Sequence, residues 1–338
     1  MIKKSDRIRA FATVGRLLKK LSEEEKSRLF LRARNENSWF TDENLETSLQ
    51  GVQRYLDEDK LREWTADLPE FPAVVKKVGV VMAGNIPLVG FHDFLSVLIS
   101  GHHLLAKLSS QDTFLIRYVA DILTDIEPRF KEQLTFAERL NEADAIIATG
   151  SDNSSRYFEY YFASRPHIIR KNRTSVGILQ GNESEAELKA LGKDVFQYFG
   201  LGCRNISKIY VPKGYTFDKM LDAWQDFSSV SQHHKYNNNY DYNKSVYLVN
   251  NEPHYDSGFS LLRESEELVS PISVVYYERY EDEEQLHEKI DARRNKIQCI
   301  VSREASFEDS LPFGKAQEPE LWDYADQVNT LEFLKQLG

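Results

Sequence analysis

An α/β architecture, with two sheet-bearing lobes and an N-terminal helical region, is predicted by three observations. Up to Pro69 and Pro72, apolar residues recur at helical spacing. From Val74 onward, β-branched runs alternate with helical segments, the texture of a parallel sheet with right-handed crossovers. Beyond about residue 180 the alternation resumes with a second set of strands, and 338 residues are enough for two cores.

The elements follow in order. Ile8, Phe11, Val14, Leu17, Leu18 and Leu21 make one apolar helical face. Ser22 followed by Glu25 is a capping-box pattern that opens the next helix toward Leu29 and Leu31. Tyr55, Leu56, Leu61 and Trp64 continue the helical reading to the prolines. Val74 to Met82 predicts a strand buried on both faces, Leu88 to Ile99 a helix stopped by Gly101, and His103 to Leu108 a strand. Thr113 to Ile126 reads as a helix and Ala145 to Thr149 as a strand. The loop 149-TGSDNSS-155 precedes an aromatic-rich helix through Phe162, and strands are expected at Ile168–Ile169 and Val176 to Leu179. In the second half, Glu185–Phe199, Phe217–Phe227 and Glu281–Arg293 read as helices. Ser207–Val211, Lys244–Val249, Ile272–Tyr277 and Ile297–Ser302 read as strands. The resulting division is a helical region at 1–72, lobes at 73–180 and 181–310, and a tail at 311–338 packing back on the first lobe.

Composition excludes several function classes. The chain is 41% hydrophobic and 28% charged, with a net charge of -10 and no Lys/Arg stripe interleaved with aromatics, so no nucleic-acid partner is expected. The longest apolar stretch, 78-VGVVMAGNIPLVGFHDFL-95, is broken by Gly, Asn, Pro and His, which argues against a membrane span. The basic start lacks the apolar core of a signal peptide. Two cysteines in so long a chain point to a reducing, cytoplasmic compartment rather than a disulfide framework.

Open α/β sheets bind ligands at loops following strand ends, and two Gly/Asn/Ser-rich loops stand there, AGNIP at 83–87 and ATGSDNSS at 148–155. Neither is a G-x-G-x-x-G or phosphate-loop motif; each reads as an ordinary turn or as a ligand loop of different chemistry. Cys299 lies inside a strand-like run and reads as a filler. Cys203, in 200-GLGCRN-205, sits on a glycine turn with Arg204 and Lys208 nearby, charges that would lower a thiol pKa. It reads either as a small filler or as a nucleophile. His167, His233 and His234 are base candidates, and no spacing suggests a metal site. The segment 235-KYNNNYDYNKS-245 reads as a polar loop or as the lining of a substrate cleft.

Taken together, these stretches resemble the bacterial acyl-CoA reductases, related to the fatty-acid reductase of bacterial bioluminescence, within the aldehyde dehydrogenase superfamily. The resemblance runs from about residue 74 to the end and rests on five motifs in order. They are 83-AGNIPLVGFHDFLSVLISGHHLLAKLS-109, ATGS at 148–151, GLGCRN at 200–205, 267-ELVSP-271 and 312-PFGKAQEPELWDYADQVNTLEFL-334. It implies an aldehyde dehydrogenase-like fold with two Rossmann-like lobes, the first binding the cofactor and the second carrying the cysteine. It also implies roles: Cys203 as nucleophile, Asn85 as oxyanion donor, and Lys107 and Glu267 on the cofactor riboses. Ala83, Gly84, Gly150 and Ser151 would line the cofactor groove, and His167 is the candidate acid for the leaving group. The expected cofactor is NADPH or NADH. The expected partners are acyl-CoA or another acyl thioester, an acyl-protein synthetase, and a second copy of the chain.

Two departures bear on mechanism. Acid-producing aldehyde dehydrogenases carry a Glu-Leu-Gly-Gly glutamate, whereas the corresponding 168-IIRKNRTSVGIL-179 has no acidic residue. ELVSP also lacks the phenylalanine and glycine of its motif. The expected reaction is therefore reduction of an acyl thioester to an aldehyde. Its rivals are an NAD-dependent aldehyde dehydrogenase, an acyl-phosphate reductase and an idle acyl-transfer scaffold.

Overall fold

The computed structural model describes residues 1–150 and 152–338, which form two compact units, residues 1–172 with 319–338 and residues 173–318. In the first unit, α1 (Lys4–Lys19), α2 (Glu23–Glu36), α3 (Asp42–Tyr55) and α4 (Glu58–Trp64) precede the sheet. The capping box at Ser22 and Glu25 opens α2 as the sequence predicts. The remaining elements are β1 (Lys77–Val81), α5 (Phe91–Ser100), β2 (His103–Lys107), α6 (Phe114–Ile126), β3 (Leu134–Phe136), β4 (Ala145–Thr149), α7 (Asp152–Phe162) and β5 (His167–Arg170). Phe11 of α1 meets Phe94 of α5 and the ring of Phe130 edge-on, so the helical region shares a core with the sheet-bearing part.

The five strands are parallel, in the order β3-β2-β1-β4-β5. Strand order runs outward in opposite directions from β1 and β4, so a crevice opens beyond their carboxyl ends. A buried, bidentate ion pair closes the layer behind it. Arg170 of β5 donates to both oxygens of Asp93 on α5, at 2.5 and 2.9 Å. It also donates to Thr330 at 3.0 Å, bringing in α12 (Thr330–Leu337) from the end of the chain.

The second unit contains β6 (Thr174–Ile178), α8 (Glu185–Phe196), β7 (Ile206–Pro212), α9 (Asp218–Trp224), α10 (His234–Val249), β8 (Tyr255–Asp256), β9 (Leu261–Glu264), β10 (Val274–Tyr280), α11 (Glu283–Asp291), β11 (Ile297–Ser302) and β12 (Ser310–Pro312). Their sheet order is β12-β11-β6-β7-β10-β9-β8. Its described pairings are parallel except that β8 pairs antiparallel with β9, at the edge of the sheet. A correction concerns 235–249. The segment expected as a polar loop and then a strand is the single helix α10. Tyr236, Tyr240, Asn243 and Tyr247 recur at helical spacing and form its buried face, where Asn243 donates to the Ile272 carbonyl at 3.0 Å. The sequence hides this because Asn and Tyr are middling helix formers and the face is amphipathic in itself. Likewise, α7 begins at Asp152, inside the stretch expected as loop. Among the described residues, no helix is long and apolar enough to cross a membrane.

Candidate active site

In the first unit, the loops after β1 and β4 flank the crevice. Ala83, Gly84 and Asn85 follow β1, Gly150 follows β4, and Lys107 is the exposed last residue of β2. Ser151 lies outside the described residues. The AGNIP loop is held closely. A Cβ on Gly84 would lie 2.6 Å from the Ser109 hydroxyl oxygen and 3.1 Å from the Asp112 backbone nitrogen. The Gly84 carbonyl accepts from Asn37 at 3.3 Å, and the Pro87 carbonyl accepts from Ser48 at 2.6 Å. The Asp112 carboxylate accepts the Leu88 N–H at 2.7 Å. Burial, with Glu36 nearby, pushes the Asp112 carboxyl up to about 7. The result is a rigid backbone cradle at the carboxyl edge of a parallel sheet, with one lysine at its rim. Such a surface fits a ribose- and phosphate-bearing ligand.

In the second unit, Cys203 is exposed on the turn entering β7. Its carbonyl accepts from the buried Ser175 hydroxyl at 3.0 Å, and that hydroxyl oxygen also accepts the Cys299 N–H at 3.1 Å. Arg204 donates through Nε to the Ala316 carbonyl at 2.5 Å. The buried Asp194 carboxylate accepts the Gly314 N–H at 2.6 Å and the Ala316 N–H at 3.0 Å. Burial pushes the Asp194 carboxyl up to about 7, against the pull of those N–H groups. The turn, the end of α8 and the PFGKAQ segment are thereby one hydrogen-bonded assembly.

Not every expected participant belongs to it. Lys208 is buried on β7 and ion-paired with Glu278, and it donates to the carbonyls of Ser265 and Glu266 at 3.0 Å each. Its charge is spent inside that network, so the expectation that it activates the thiol is corrected. Glu267 is exposed and lines a depression of about 470 Å³ with Leu268, Arg293 and Lys296. His167 starts β5, at the opposite edge of its sheet from Asn85, Lys107 and Gly150, and its Nδ1 lies 2.8 Å from the Arg165 carbonyl. Sequence reasoning missed Ser175, Asp194, Asn205 and Asp112. For Asn205 a signal existed, since it stands inside GLGCRN; the other three carry none.

The fold is that of the aldehyde dehydrogenases. An aldehyde dehydrogenase from Burkholderia cenocepacia superposes with a TM-score of 0.68 over 89% of this chain and 74% of its own, at 12% identity. Aldehyde dehydrogenase 21 from Physcomitrella patens, solved with succinate, gives a TM-score of 0.68 over 99% of this chain and 84% of its own, at 12% identity. A Mycobacterium tuberculosis aldehyde dehydrogenase complexed with NAD+ gives 0.64 over 89% of this chain and 73% of its own, at 14% identity. No family model matches the sequence. In sequence, the chain is similar to a long-chain acyl-protein thioester reductase from Aliivibrio fischeri, 26% identical over 148 residues. That match spans 38% of this chain and 30% of the relative.

Proposed function

We propose that this chain reduces an acyl thioester to an aldehyde, with Cys203 as nucleophile and a reduced nicotinamide dinucleotide as hydride source. The observation that carries the reading is an exposed thiol on a turn whose backbone is held by buried side chains. Similarity to a thioester reductase supports the substrate class, and the NAD+ complex among the structural neighbours supports the cofactor class.

The Cys203 thiolate attacks the thioester carbonyl carbon, forming a new C–S bond. The donor sulfur leaves with the electron pair of the old one. A bound NADPH or NADH would supply hydride to the resulting thioacyl group. The thiohemiacetal oxyanion then collapses, and its C–S bond breaks to free the aldehyde and the Cys203 thiolate. The Cys203 N–H and the Asn85 amide are the proposed oxyanion donors, and losing one such donor costs about 100- to 1000-fold in rate. Ala83, Gly84, Lys107, Gly150 and Ser151 are proposed to hold the dinucleotide, with Glu267 on its nicotinamide ribose. No acidic side chain stands in 168–179 to activate water, which supports hydride rather than water as the acceptor. Acyl-CoA or another acyl thioester is the proposed donor, delivered in the cytoplasm to a homo-oligomer with an acyl-protein synthetase as partner.

The test is intact-mass detection of an acyl adduct with a panel of acyl-CoAs, followed by NADPH or NADH. The expected result is an adduct that Cys203→Ala abolishes and that reduced cofactor discharges as aldehyde. An adduct persisting in Cys203→Ala places the nucleophile elsewhere.

A further inference from the structure

We infer that Asn205 and Ser175 are positioning residues for the nucleophile, bracing the backbone on both sides of Cys203. The chain here is under conformational load. Helix α8 stops at Phe196, and Tyr198, Phe199 and Gly200 follow with φ of 52°, 58° and 76°. Left-handed backbone costs a non-glycine residue roughly 1–2 kcal/mol. The helix end also leaves carbonyls that no later N–H of the helix can reach.

Asn205, almost fully buried, answers the helix-end carbonyls and holds the turn with one side chain. Its amide nitrogen donates to the carbonyls of Asp194 at 3.0 Å, Val195 at 3.3 Å and Gln197 at 2.7 Å. Its amide oxygen accepts the Gly202 N–H at 2.8 Å. Its own backbone N–H closes the turn onto the Gly202 carbonyl at 3.0 Å. Cys203 therefore sits in a four-residue loop whose ends are bonded to each other and, through the Asn205 side chain, to the end of α8. Ser175 supplies the other hold. It stands at the start of β6, where its hydroxyl fixes the Cys203 carbonyl. Asparagine suits this place because it carries a donor and an acceptor at one reach. Aspartate keeps the bond from Gly202 but turns a carboxylate oxygen toward three carbonyls.

The inference rests on Cys203 as the reacting thiol, so its test reads thiol reactivity rather than turnover. The full-length chain and its Asn205→Asp, Asn205→Ala and Ser175→Ala variants are alkylated with iodoacetamide between pH 5 and 10. Peptide mass spectrometry separates Cys203 from Cys299. A lost brace at Asn205 should change the Cys203 rate about tenfold, and the single hydrogen bond of Ser175 about threefold. Aspartate should be at least as damaging as alanine, and Cys299 should keep its rate in both Asn205 variants. Folded Asn205 variants whose Cys203 profile stays within about twofold of wild type would overturn the inference, because a purely structural role moves the melting temperature alone. Should neither Asn205 variant fold, an unchanged Cys203 profile in Ser175→Ala overturns it. Altered alkylation together with no acyl adduct on the wild type sinks the proposed function and leaves the brace standing.

Discussion

The AGNIP loop of the first unit and the cysteine turn of the second are built from the same two parts used differently. Each has a glycine and a buried aspartate. Gly84 is needed for space, since the Ser109 hydroxyl and the Asp112 backbone occupy the place of a Cβ. Gly200 is needed for its φ of 76°, and its nearest neighbour to a Cβ, the Val195 carbonyl oxygen, stands 3.7 Å away. Asp194 accepts an N–H on each oxygen, from Gly314 and Ala316. Asp112 accepts one, from Leu88, and its second oxygen lacks a bond of ordinary geometry. Burial raises both carboxyls to about 7. What differs is how many of the two oxygens hold a bond of ordinary geometry, and so how well each aspartate tolerates a proton or an amide.

The comparison can be broken from either side. The largest expected effect is from Gly84→Ala, where overpacking against the Ser109 side chain and the Asp112 backbone should cost about 1–3 kcal/mol in chemical unfolding. Asp194→Asn turns an NH2 toward one of two N–H donors and should cost about 1–3 kcal/mol. An Asp194→Asn chain as stable as wild type would mean that the two aspartates are equivalent after all. Gly200→Ala should cost roughly 1–2 kcal/mol, and Gly200→Asn should recover most of it, since Asn enters the left-handed region more readily. Equal losses for both substitutions would make space, not φ, the requirement at Gly200.

The finest test is Asp112→Asn. At pH 6, where the buried carboxyl is largely protonated, an amide offers the same oxygen to the Leu88 N–H and an N–H in place of the O–H, so little stability should be lost. The folded pKa of Asp112, about 7, exceeds its unfolded value, so its stabilising contribution is present in acid and lost as pH rises through 7. Between pH 6 and 8 that loss is about 1.4 kcal/mol. Asp112→Asn should flatten the wild-type decline by that amount, measured as unfolding free energy at the two pH values.

Much of the architecture is legible because it depends on local pattern. The apolar face from Ile8 to Leu18 marks α1, and short runs rich in β-branched residues mark β1 and β4. Short strands such as β3, β8 and β12 have no room for periodicity. Helix α10 escapes because its buried Tyr and Asn stripe stands among further Asn and Tyr residues, so no clean apolar period separates one face from the other. Lys208 misleads for a related reason. Five residues from Cys203 in sequence, it enters a buried strand where Glu278, 70 residues on, claims its charge.

The sequence by itself determined the α/β class, the succession of the main strands along the chain, the two ligand-edge loops and the glycine-flanked cysteine. These are properties of neighbours, readable from spacing and residue type. Only the tertiary structure decided what holds Cys203 in place. Ser175 lies 28 residues away in the chain, and Ala316 lies 112 residues from its partner Arg204. Hydrogen bonds of that separation follow from strand order and register, which no single stretch of sequence encodes.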